Sequence, residues 1–329
     1  MKVLVTGSAG HLGEALMRVL RERPGFEPIG LDRLESPTTD IIGSILDPEV
    51  VEAGVAGVQA ILHTATLHKP HIGSHSPQAF VDVNVSGTLR LLEAAVAARV
   101  QVFVFTSTTS AFGNALRPPP DRPAVWVTEA LAPVPRNVYG VTKAAAEDVC
   151  QLFHQDHGLP CLVLRTSRFF PEEDDDPAAR GTYSADNLKV NELLYRRVDL
   201  ADVVDAHLLA LERAARIGFG RFIISATTPL EPEDAGALRR DLPSVLDRRV
   251  PGWRDVYGRL DWAMLPGIDR VYDNRLAREV LGWQPRHDFT HALRCLAANR
   301  DHRSALAVSV GYKGYHREPA ARQSEAVKR

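Results

Sequence analysis

Near its N-terminus the chain reads Lys2-Val3-Leu4-Val5-Thr6-Gly7-Ser8-Ala9-Gly10-His11-Leu12-Gly13. The first five residues predict a short buried strand, and an amphipathic helix is predicted to follow the glycines, through about Arg23. Gly7 permits a tight turn, Gly10 lets the backbone approach a pyrophosphate, and Gly13 lets the helix pack closely on the strand. The N-terminus of the helix is then expected to face the phosphates.

An acidic residue follows at the distance that a dinucleotide-binding unit requires. The next predicted strand, 27–31, ends at Asp32, nineteen residues after Gly13. At that spacing a carboxylate reaches the adenosine ribose. It accepts a hydrogen bond from a 2'-hydroxyl and repels a 2'-phosphate, which favours NAD over NADP. The neighbouring Arg33 could bind that phosphate, so NADP is the less favoured alternative.

Strands and helices alternate over the following residues. Further strands are predicted at 41–45, 60–64, 101–106 and 161–165, and helices at 78–99 and 139–157. This order predicts an α/β fold: a Rossmann-like, doubly wound parallel sheet with a smaller α/β substrate lobe. Ligands of such sheets bind at the carboxyl ends of the strands.

Composition narrows the class of partner. The 329 residues carry a formal net charge of -2, with a pI near 6.6, so nothing indicates binding to nucleic acid or to an anionic membrane. The sequence lacks a run of about 18 apolar residues that could span a membrane. Three cysteines are too few and too scattered for a disulfide framework or a thiolate metal site. We expect a soluble, cytoplasmic protein that binds a small molecule.

A candidate acid/base pair lies at Tyr139 and Lys143. Residues four apart share one helical face, so the Lys143 ammonium is expected beneath the Tyr139 phenol, where it favours the ionised phenolate. This pattern also arises often by chance. Its value depends on the motifs around it.

Six motifs occur together in one order. They are Thr6-Gly7-Ser8-Ala9-Gly10-His11-Leu12-Gly13, His63-Thr64-Ala65-Thr66, Asn84-Val85-Ser86-Gly87-Thr88, Thr106-Ser107-Thr108 before Phe112-Gly113, Tyr139 with Lys143, and Leu281-Gly282-Trp283-Gln284-Pro285. The chain resembles the extended short-chain dehydrogenase/reductase family, which holds NAD-dependent epimerases, dehydratases and reductases of sugar nucleotides. The resemblance covers roughly residues 1–290.

The resemblance implies roles for named residues. Tyr139 is the expected acid/base, Lys143 holds the nicotinamide ribose, and Thr108 orients the reacting oxygen. The other expected cofactor-binding residues are Gly7, Gly10, His11, Leu12, Gly13, Asp32, Arg33, Ser44, Ile45, Leu46, His63, Thr64, Ala65, Thr66, Asn84, Thr106 and Ser167. The expected substrate residues are His68, Thr109, Ser110, Arg168 and Asn187. A homodimer is also expected.

Two departures from the family pattern bear on the substrate. Dehydratases place an Asp-Glu pair after the catalytic Thr, whereas Thr109 and Ser110 follow here, which predicts no dehydratase activity. The substrate-binding segment between Arg168 and Val198 is short, and Arg168 replaces the usual Asn. An arginine there could clamp a carboxylate or a phosphate. In its short substrate-binding segment and in Arg168, the chain resembles uronate dehydrogenases.

The chain is therefore predicted to contain a dinucleotide-binding domain at 1–166, to which 198–228 returns, a smaller lobe at 167–197 and 229–300, and a C-terminal tail at 301–329. His68, His71 and His75 lie close together in the sequence. Pro70 disrupts the helix that could align them as ligands, so no metal is expected. The main hypothesis is an NAD-dependent epimerase/oxidoreductase that acts on a secondary alcohol of a sugar or sugar derivative through a transient ketone. The alternatives are a net dehydrogenase of a small sugar acid and a non-catalytic dinucleotide-sensing regulator.

Overall fold

A computed structural model describes residues 1–172 and 177–314. Its strands are β1 (Lys2–Thr6), β2 (Glu27–Asp32), β3 (Ile41–Ile42), β4 (Ala60–His63), β5 (Val102–Thr108), β6 (Val125–Val127), β7 (Cys161–Thr166), β8 (Phe219–Ile224) and β9 (Arg270–Tyr272). Its α-helices are α1 (His11–Glu22), α2 (Pro48–Val55), α3 (Pro77–Val81), α4 (Gly87–Ala97), α5 (Val138–His157), α6 (Pro177–Thr182), α7 (Ala185–Glu192), α8 (Leu200–Ile217), α9 (Ala235–Leu238), α10 (Leu242–Arg249), α11 (Trp253–Leu260), α12 (Arg275–Leu281), α13 (Phe289–Ala297) and α14 (Ala305–Val310).

Seven strands form one parallel sheet in the order β3-β2-β1-β4-β5-β7-β8. The chain starts in the middle, builds outward to β3, and then returns past β1 to build the other half. The carboxyl ends of β1 and β4 meet where this direction reverses, which is the place at which such sheets bind ligands. The predicted doubly wound fold is confirmed.

Helices cover both faces of this sheet, because its strands are apolar on both sides. In β1, Val3 and Val5 pack into a cluster with α1 and α8, while Leu4 packs into the opposite cluster with α2, α4 and α5. All three side chains are fully buried. The sheet is therefore a rigid layer that holds the loops at its carboxyl edge.

A second lobe has a core of its own. Strands β6 and β9 pair in parallel although about 145 residues separate them, and helices α7, α10, α11 and α13 pack against this pair. Ala124 and Trp126 lie in this core. The domain boundaries predicted from the sequence had assigned both residues to the dinucleotide-binding domain. Conversely, Leu281 and Trp283 pack in the core of the large sheet.

Two predicted elements differ in the structure. The strand predicted at 41–45 is only two residues long, since the chain turns at Gly43, whose N–H donates to the Asp32 carbonyl at 2.8 Å. The helix predicted at 78–99 is divided into α3 and α4 by a π-helical turn over Asp82–Ser86.

The segment after residue 300 was predicted to be a C-terminal tail, separate from both lobes. Its described part, 301–314, instead contains α14, whose Val310 packs into the core cluster that α1 and α8 share. The Ser304 N–H donates to Asp199 at 3.0 Å, and Lys313 forms an ion pair with Glu14 of α1. Residues 315–329 lie outside the described chain. Within the described residues, no helix is long and apolar enough to cross a membrane.

Candidate active site

The glycine loop after β1 has the shape that its sequence predicts. Gly7 has a φ of +73°, and a Cβ on Gly13 would collide with the Gly7 carbonyl. Asp32 closes the loop from β2, where its Oδ2 accepts from the Ala9 N–H at 3.0 Å. Since Gly10 caps α1 without a side chain, the first N–H groups of the helix stay directed at the loop. These residues fit a dinucleotide, with Asp32 placed for its adenosine ribose.

One cavity of about 760 Å³ begins at this loop and extends to the second lobe. It brings together 15 of the 25 predicted site residues, which come from five separate segments of the chain. The predicted residues that line it are Gly7, Gly10, His11, Leu12, Gly13, Thr64, Thr66, His68, Thr106, Thr108, Thr109, Ser110, Tyr139, Ser167 and Arg168.

Tyr139 and Thr108 form the centre of this cavity. Thr108 is the last residue of β5 and Tyr139 is in the first turn of α5. Burial raises the pKa of Tyr139 to about 12, and the nearby Thr108 side chain opposes this shift. The phenol is therefore neutral near pH 7 and can donate a proton to an oxygen in the cavity.

Lys143 lies behind Tyr139 and does not line the cavity. Its ammonium donates to the Thr106 carbonyl at 2.6 Å and lies 3.9 Å from the centre of the Phe105 ring. Burial lowers the pKa of Lys143 to about 7, while Glu147 and Cys150 oppose this shift. The sequence predicted an ammonium beneath the phenol, and the structure instead directs it to a carbonyl at the end of β5.

Two predicted cofactor residues are internal supports of the site. The ring of His63 is buried, with Nδ1 at 2.7 Å from the Thr6 hydroxyl and Nε2 at 3.0 Å from that of Thr88. Burial, then Lys143, lowers its pKa to about 3, so the ring is neutral. Asn84 is also buried, and its amide binds the loop after β4 and the Thr142 hydroxyl of α5.

Other predicted cofactor residues lie beside the cavity or outside it. Arg33 is exposed next to Asp32, and Ala65 packs against Gly7. Ser44 accepts from the Leu46 N–H at 3.1 Å, and Ile45 is buried against Gly87. The segment 44–46 follows β3 at the same sheet edge as Asp32. This position is compatible with an adenine contact, but the side-chain contacts of Ser44 and Ile45 given above are internal to the protein.

The predicted substrate residues divide in a similar way. His68 is half-buried, with its ring centre 6.2 Å from that of Tyr139, and burial followed by His71 lowers its pKa to about 3. Asn187 lies away from the cavity in the second lobe, where its side chain accepts from the Ala263 N–H at 3.1 Å. The described residues contain no group of side chains that could hold a metal ion.

One wall of the cavity carries several basic residues. Of these, the sequence predicted only Arg168 as a substrate residue. Glu192 is buried beneath this wall, within 3.5 Å of Arg168 and 2.7 Å of both Arg196 and Arg197. Burial opposes its ionisation, yet Arg197, Arg196 and Arg168 together lower its pKa to about 2. The basic residues of the lining are Lys69, Arg117, Arg136, Arg168, Arg180, Arg196 and Arg270, and the acidic ones are Glu172 and Asp269.

Several lining residues could not be found by motif. Arg270 and Tyr272 reach the cavity only because β9 pairs with β6, which no local pattern indicates. Phe169 and Phe170 pack on the His11 ring, with centres 6.0 and 5.6 Å away, and extend the wall beside the glycine loop. Glu172 also lines the cavity, and the residues that follow it, 173–176, lie outside the described chain.

Comparisons with known proteins agree with this geometry. The sequence model of the NAD dependent epimerase/dehydratase family matches residues 3–224. The chain is 26% identical to a UDP-glucose 4-epimerase of Rhizobium meliloti (strain 1021), covering 87% of this chain and 93% of the relative. It is 29% identical to a dTDP-glucose 4,6-dehydratase of Streptomyces antibioticus, covering 92% and 94%.

Solved structures share the fold. A short-chain dehydrogenase/reductase superfamily protein from Agrobacterium tumefaciens with bound NAD superimposes with a TM-score of 0.63 at 24% identity, covering 91% of this chain and 96% of that chain. A UDP-glucuronic acid 4-epimerase from Bacillus cereus gives 0.61 at 20% identity, covering 89% and 97%. With the family model matching residues 3–224, this chain belongs to the NAD dependent epimerase/dehydratase family, and the predicted enzyme class and NAD cofactor are thereby confirmed.

Proposed function

We propose that the chain oxidises a secondary hydroxyl of a sugar derivative and then reduces the transient ketone from its other face, which epimerises one carbon. The observation that carries this proposal is that Tyr139 and Thr108 line the same cavity as the glycine loop. An acid/base and a dinucleotide loop that share one cavity support oxidation and reduction of one substrate carbon.

Each residue then has one task. The Thr108 hydroxyl orients the reacting oxygen, and Tyr139 exchanges a proton with that oxygen. Bound NAD would supply the hydride acceptor. Lys143, behind Tyr139, would hold the nicotinamide ribose. Because the Tyr139 phenol has a raised pKa, it is suited to protonating the alkoxide or carbonyl oxygen, and oxidation requires that this pKa be lowered in the complex.

Dehydration of the sugar is not part of this proposal. In this structure Thr109 is buried and Ser110 lines the cavity, and neither side chain can act as an acid or a base near neutral pH. We therefore expect no loss of water from a nucleotide sugar. Release of a 4-keto-6-deoxy product from dTDP-glucose would contradict this expectation.

A second candidate is a net dehydrogenase of a small sugar acid. Two observations favour it: the cavity of about 760 Å³ must hold both the nicotinamide end of the cofactor and the substrate, and its walls carry seven basic residues against two acidic ones. Pockets for one ligand commonly measure about 300 to 1,000 Å³, so the room for a substrate is limited. Arg168 and Arg196 are the basic residues that Glu192 holds in place.

A substrate screen with NAD separates these candidates. UDP-glucose, UDP-glucuronate, free glucose and free glucuronate are offered to the wild type and to Tyr139→Phe, while absorbance of reduced nicotinamide and product configuration are followed. Epimerisation gives a new isomer without net absorbance, and dehydrogenation gives absorbance in proportion to product. We expect Tyr139→Phe to lower kcat at least about a hundredfold, since general acid–base catalysis contributes about 10²–10⁴-fold. Unchanged turnover in this variant would contradict the proposal.

Arg168→Met tests the acidic substrate. We expect its KM for an acidic sugar to rise about tenfold or more, because a charge-assisted hydrogen bond contributes about 1.5–3 kcal/mol. The KM for a neutral sugar should stay within about twofold of the wild type. Arg254→Met is the matched control, since this arginine is exposed and paired with Asp247, far from the cavity lining. An equal rise for acidic and neutral sugars would exclude a role in recognising charge.

Three further expectations remain proposals. The presence of Thr108, Tyr139 and Lys143 speaks against a non-catalytic dinucleotide sensor, and a wild type that binds NAD but turns over no sugar would favour it. Light scattering of the full chain tests the homodimer. All three cysteines are free and buried, which is in keeping with a cytoplasmic location.

A further inference from the structure

Glu147 lies on the same face of α5 as the candidate acid/base pair. It follows Lys143 by one helical turn and Tyr139 by two, since positions four residues apart share a helical face. Its side chain is only 1% exposed, and it lines no part of the cavity. A carboxylate this deeply buried requires several partners to stay charged.

Those partners come from three neighbouring strands of the large sheet. From β7, Arg165 donates to Glu147 Oε2 through Nε at 3.0 Å and through its terminal nitrogen at 2.7 Å. From β5, the Ser107 hydroxyl donates to Oε1 at 2.5 Å, and Ser107 directly precedes Thr108. From β8, Arg221 Nε lies 3.3 Å from Oε2. One carboxylate thus joins α5 to β5, β7 and β8.

We propose that Glu147 is a positioning residue that fixes Tyr139 and Lys143 of α5 in register with Thr108 of β5. The inference rests on the proposed function of these three residues. Tyr139 must meet Thr108 across the boundary between helix and strand, and a shift of about 1 Å in such a contact costs about a hundredfold in rate. The Glu147–Ser107 bond crosses that boundary one residue away from Thr108.

Glu147 also acts on the charge of Lys143. The groups that influence Lys143 electrostatically are Glu147 and Cys150 on its own helix, and His63 and His68 on the adjoining β4 and its loop. Both histidines have strongly lowered pKa values, so they are neutral near pH 7. Glu147 is the larger of the two influences that favour the ammonium against burial. The Glu147 carboxylate therefore both holds α5 in register with β5 and favours the charged form of Lys143.

The charge of Lys143 can be measured without any substrate. The chain has six lysines, so labelling with ε-¹³C-lysine gives a simple NMR spectrum in which Lys143→Arg identifies the Lys143 signal. We expect the midpoint of its titration to fall by about 0.5 to 1 pH unit in Glu147→Gln. Asp148→Asn is the matched control, because the next residue of the helix carries the same charge but is 79% exposed, and it should leave the midpoint unchanged.

Glu147→Gln leaves the buried Arg165 without its carboxylate, and this can prevent folding. A second variant, Glu147→Met with Arg165→Met, removes both charges, and apolar replacement of a buried pair is often neutral or stabilising. If Glu147 served only to neutralise Arg165, this double variant would regain the wild-type midpoint and turnover. We expect the lowered midpoint to persist, and a wild-type midpoint in the double variant would overturn the inference.

Turnover on whichever sugar the screen identifies completes the test. We expect kcat of the double variant to fall at least about tenfold, with the KM for the sugar within about threefold of the wild type, because no cavity residue is altered. Wild-type kcat in the double variant would likewise overturn the inference. Failure of the proposed function would appear differently, as absence of sugar turnover in the wild-type chain.

Discussion

At Asp32, one carboxylate serves both the loop and the expected cofactor. Its Oδ2 accepts from the Ala9 N–H and its Oδ1 from the Leu34 N–H, each at 3.0 Å. These two bonds hold the carboxylate at the end of β2, where a 2'-phosphate on the ribose would meet its negative charge. Like charges placed together cost several kcal/mol.

We therefore predict that Asp32→Asn relaxes the choice of dinucleotide. The amide oxygen keeps one acceptor for the loop, while the repulsion of a 2'-phosphate is removed. The ratio of the Kd for NADP to the Kd for NAD, measured by titration, should fall at least about tenfold. Arg33→Met is the control for the neighbouring cation and should weaken any NADP binding that is present. Comparable Kd values for both dinucleotides in the wild type would contradict the preference for NAD.

Single residues were predictable where a motif fixes them. Tyr139, Thr108 and the glycines, which the sequence singled out by their motifs, line one cavity, because each lies at a strand end or in the first turn of a helix. His63 was assigned to the cofactor as part of the motif His63–Thr66, but its ring contacts the Thr6 and Thr88 hydroxyls in the interior. A motif alone does not indicate which of its side chains face the cavity.

Among the elements, the π-helical turn between α3 and α4 has a direct role at the site. It contains Asn84, whose Oδ1 accepts from the Leu67 N–H at 2.8 Å and whose Nδ2 donates to the Leu67 carbonyl at 3.1 Å and to the Thr142 hydroxyl at 3.0 Å. This amide joins the loop that carries Thr66 to α5. π-helical turns are rare and often occur at functional sites.

Asn84→Ala should loosen this junction. Leaving buried polar groups unsatisfied costs about 1–3 kcal/mol each, so we predict that the free energy of unfolding in urea falls by about 2–4 kcal/mol. NAD affinity should fall in parallel, because the loop 64–67 borders the glycine loop. Thr142→Val removes only one of these bonds and should lose no more than about half as much. Equal stability of Asn84→Ala and wild type would show that the amide does not join these elements.

The sequence indicated one long helix at 78–99, and only the structure shows the wide turn within it. A π turn adds one residue to a helix without changing its apolar face enough to be seen in the pattern. Strand positions, in contrast, were predicted closely. A buried parallel strand leaves a clear pattern in the sequence, because it is a short apolar run bounded by turn residues. The ends of β3 and β5 shifted by two to three residues.

Across the whole molecule, buried histidines set the response to acid. Burial lowers the pKa of His63 to about 3 and those of His11 and His207 to about 4, from an ordinary value of 6.5. Between pH 6.5 and about 4 the unfolded chain binds protons that the folded chain does not, so stability falls as pH falls. Glu192, with its pKa lowered from 4.5 to about 2, adds to this loss only below about pH 4.5.

We predict that Tm decreases steadily from pH 7 to pH 5, before carboxylates contribute. His207→Gln should make this decrease shallower, since its amide can serve the two partners of the ring, the Thr106 hydroxyl and the Val203 carbonyl. Thermal unfolding of both proteins at pH 7.5, 6.0 and 5.0 measures the effect. An exposed histidine, His157, supplies the control, and His157→Gln should follow the wild type. A slope that does not differ between His207→Gln and wild type would contradict this origin of acid sensitivity.

The assembly of the second lobe was the least predictable feature of the fold. Its core takes residues from 124 to 293, and its two strands are each only three residues long. Short strands carry little pattern, and pairing between distant segments leaves no local trace in a sequence. The parallel sheet was predictable because its strands alternate with helices at short intervals.

The pairing of β6 with β9 also constrains how the chain is made. During synthesis, Val127 leaves the ribosome about 145 residues before Tyr272, which corresponds to roughly 7 to 30 s at about 5–20 residues per second. All seven strands of the large sheet, including β8, have been synthesised by the end of that interval, while β6 remains without its partner strand. The nascent chain thus holds a folded large sheet beside an incomplete second lobe, and it is during this interval that a chaperone would have an exposed strand to protect.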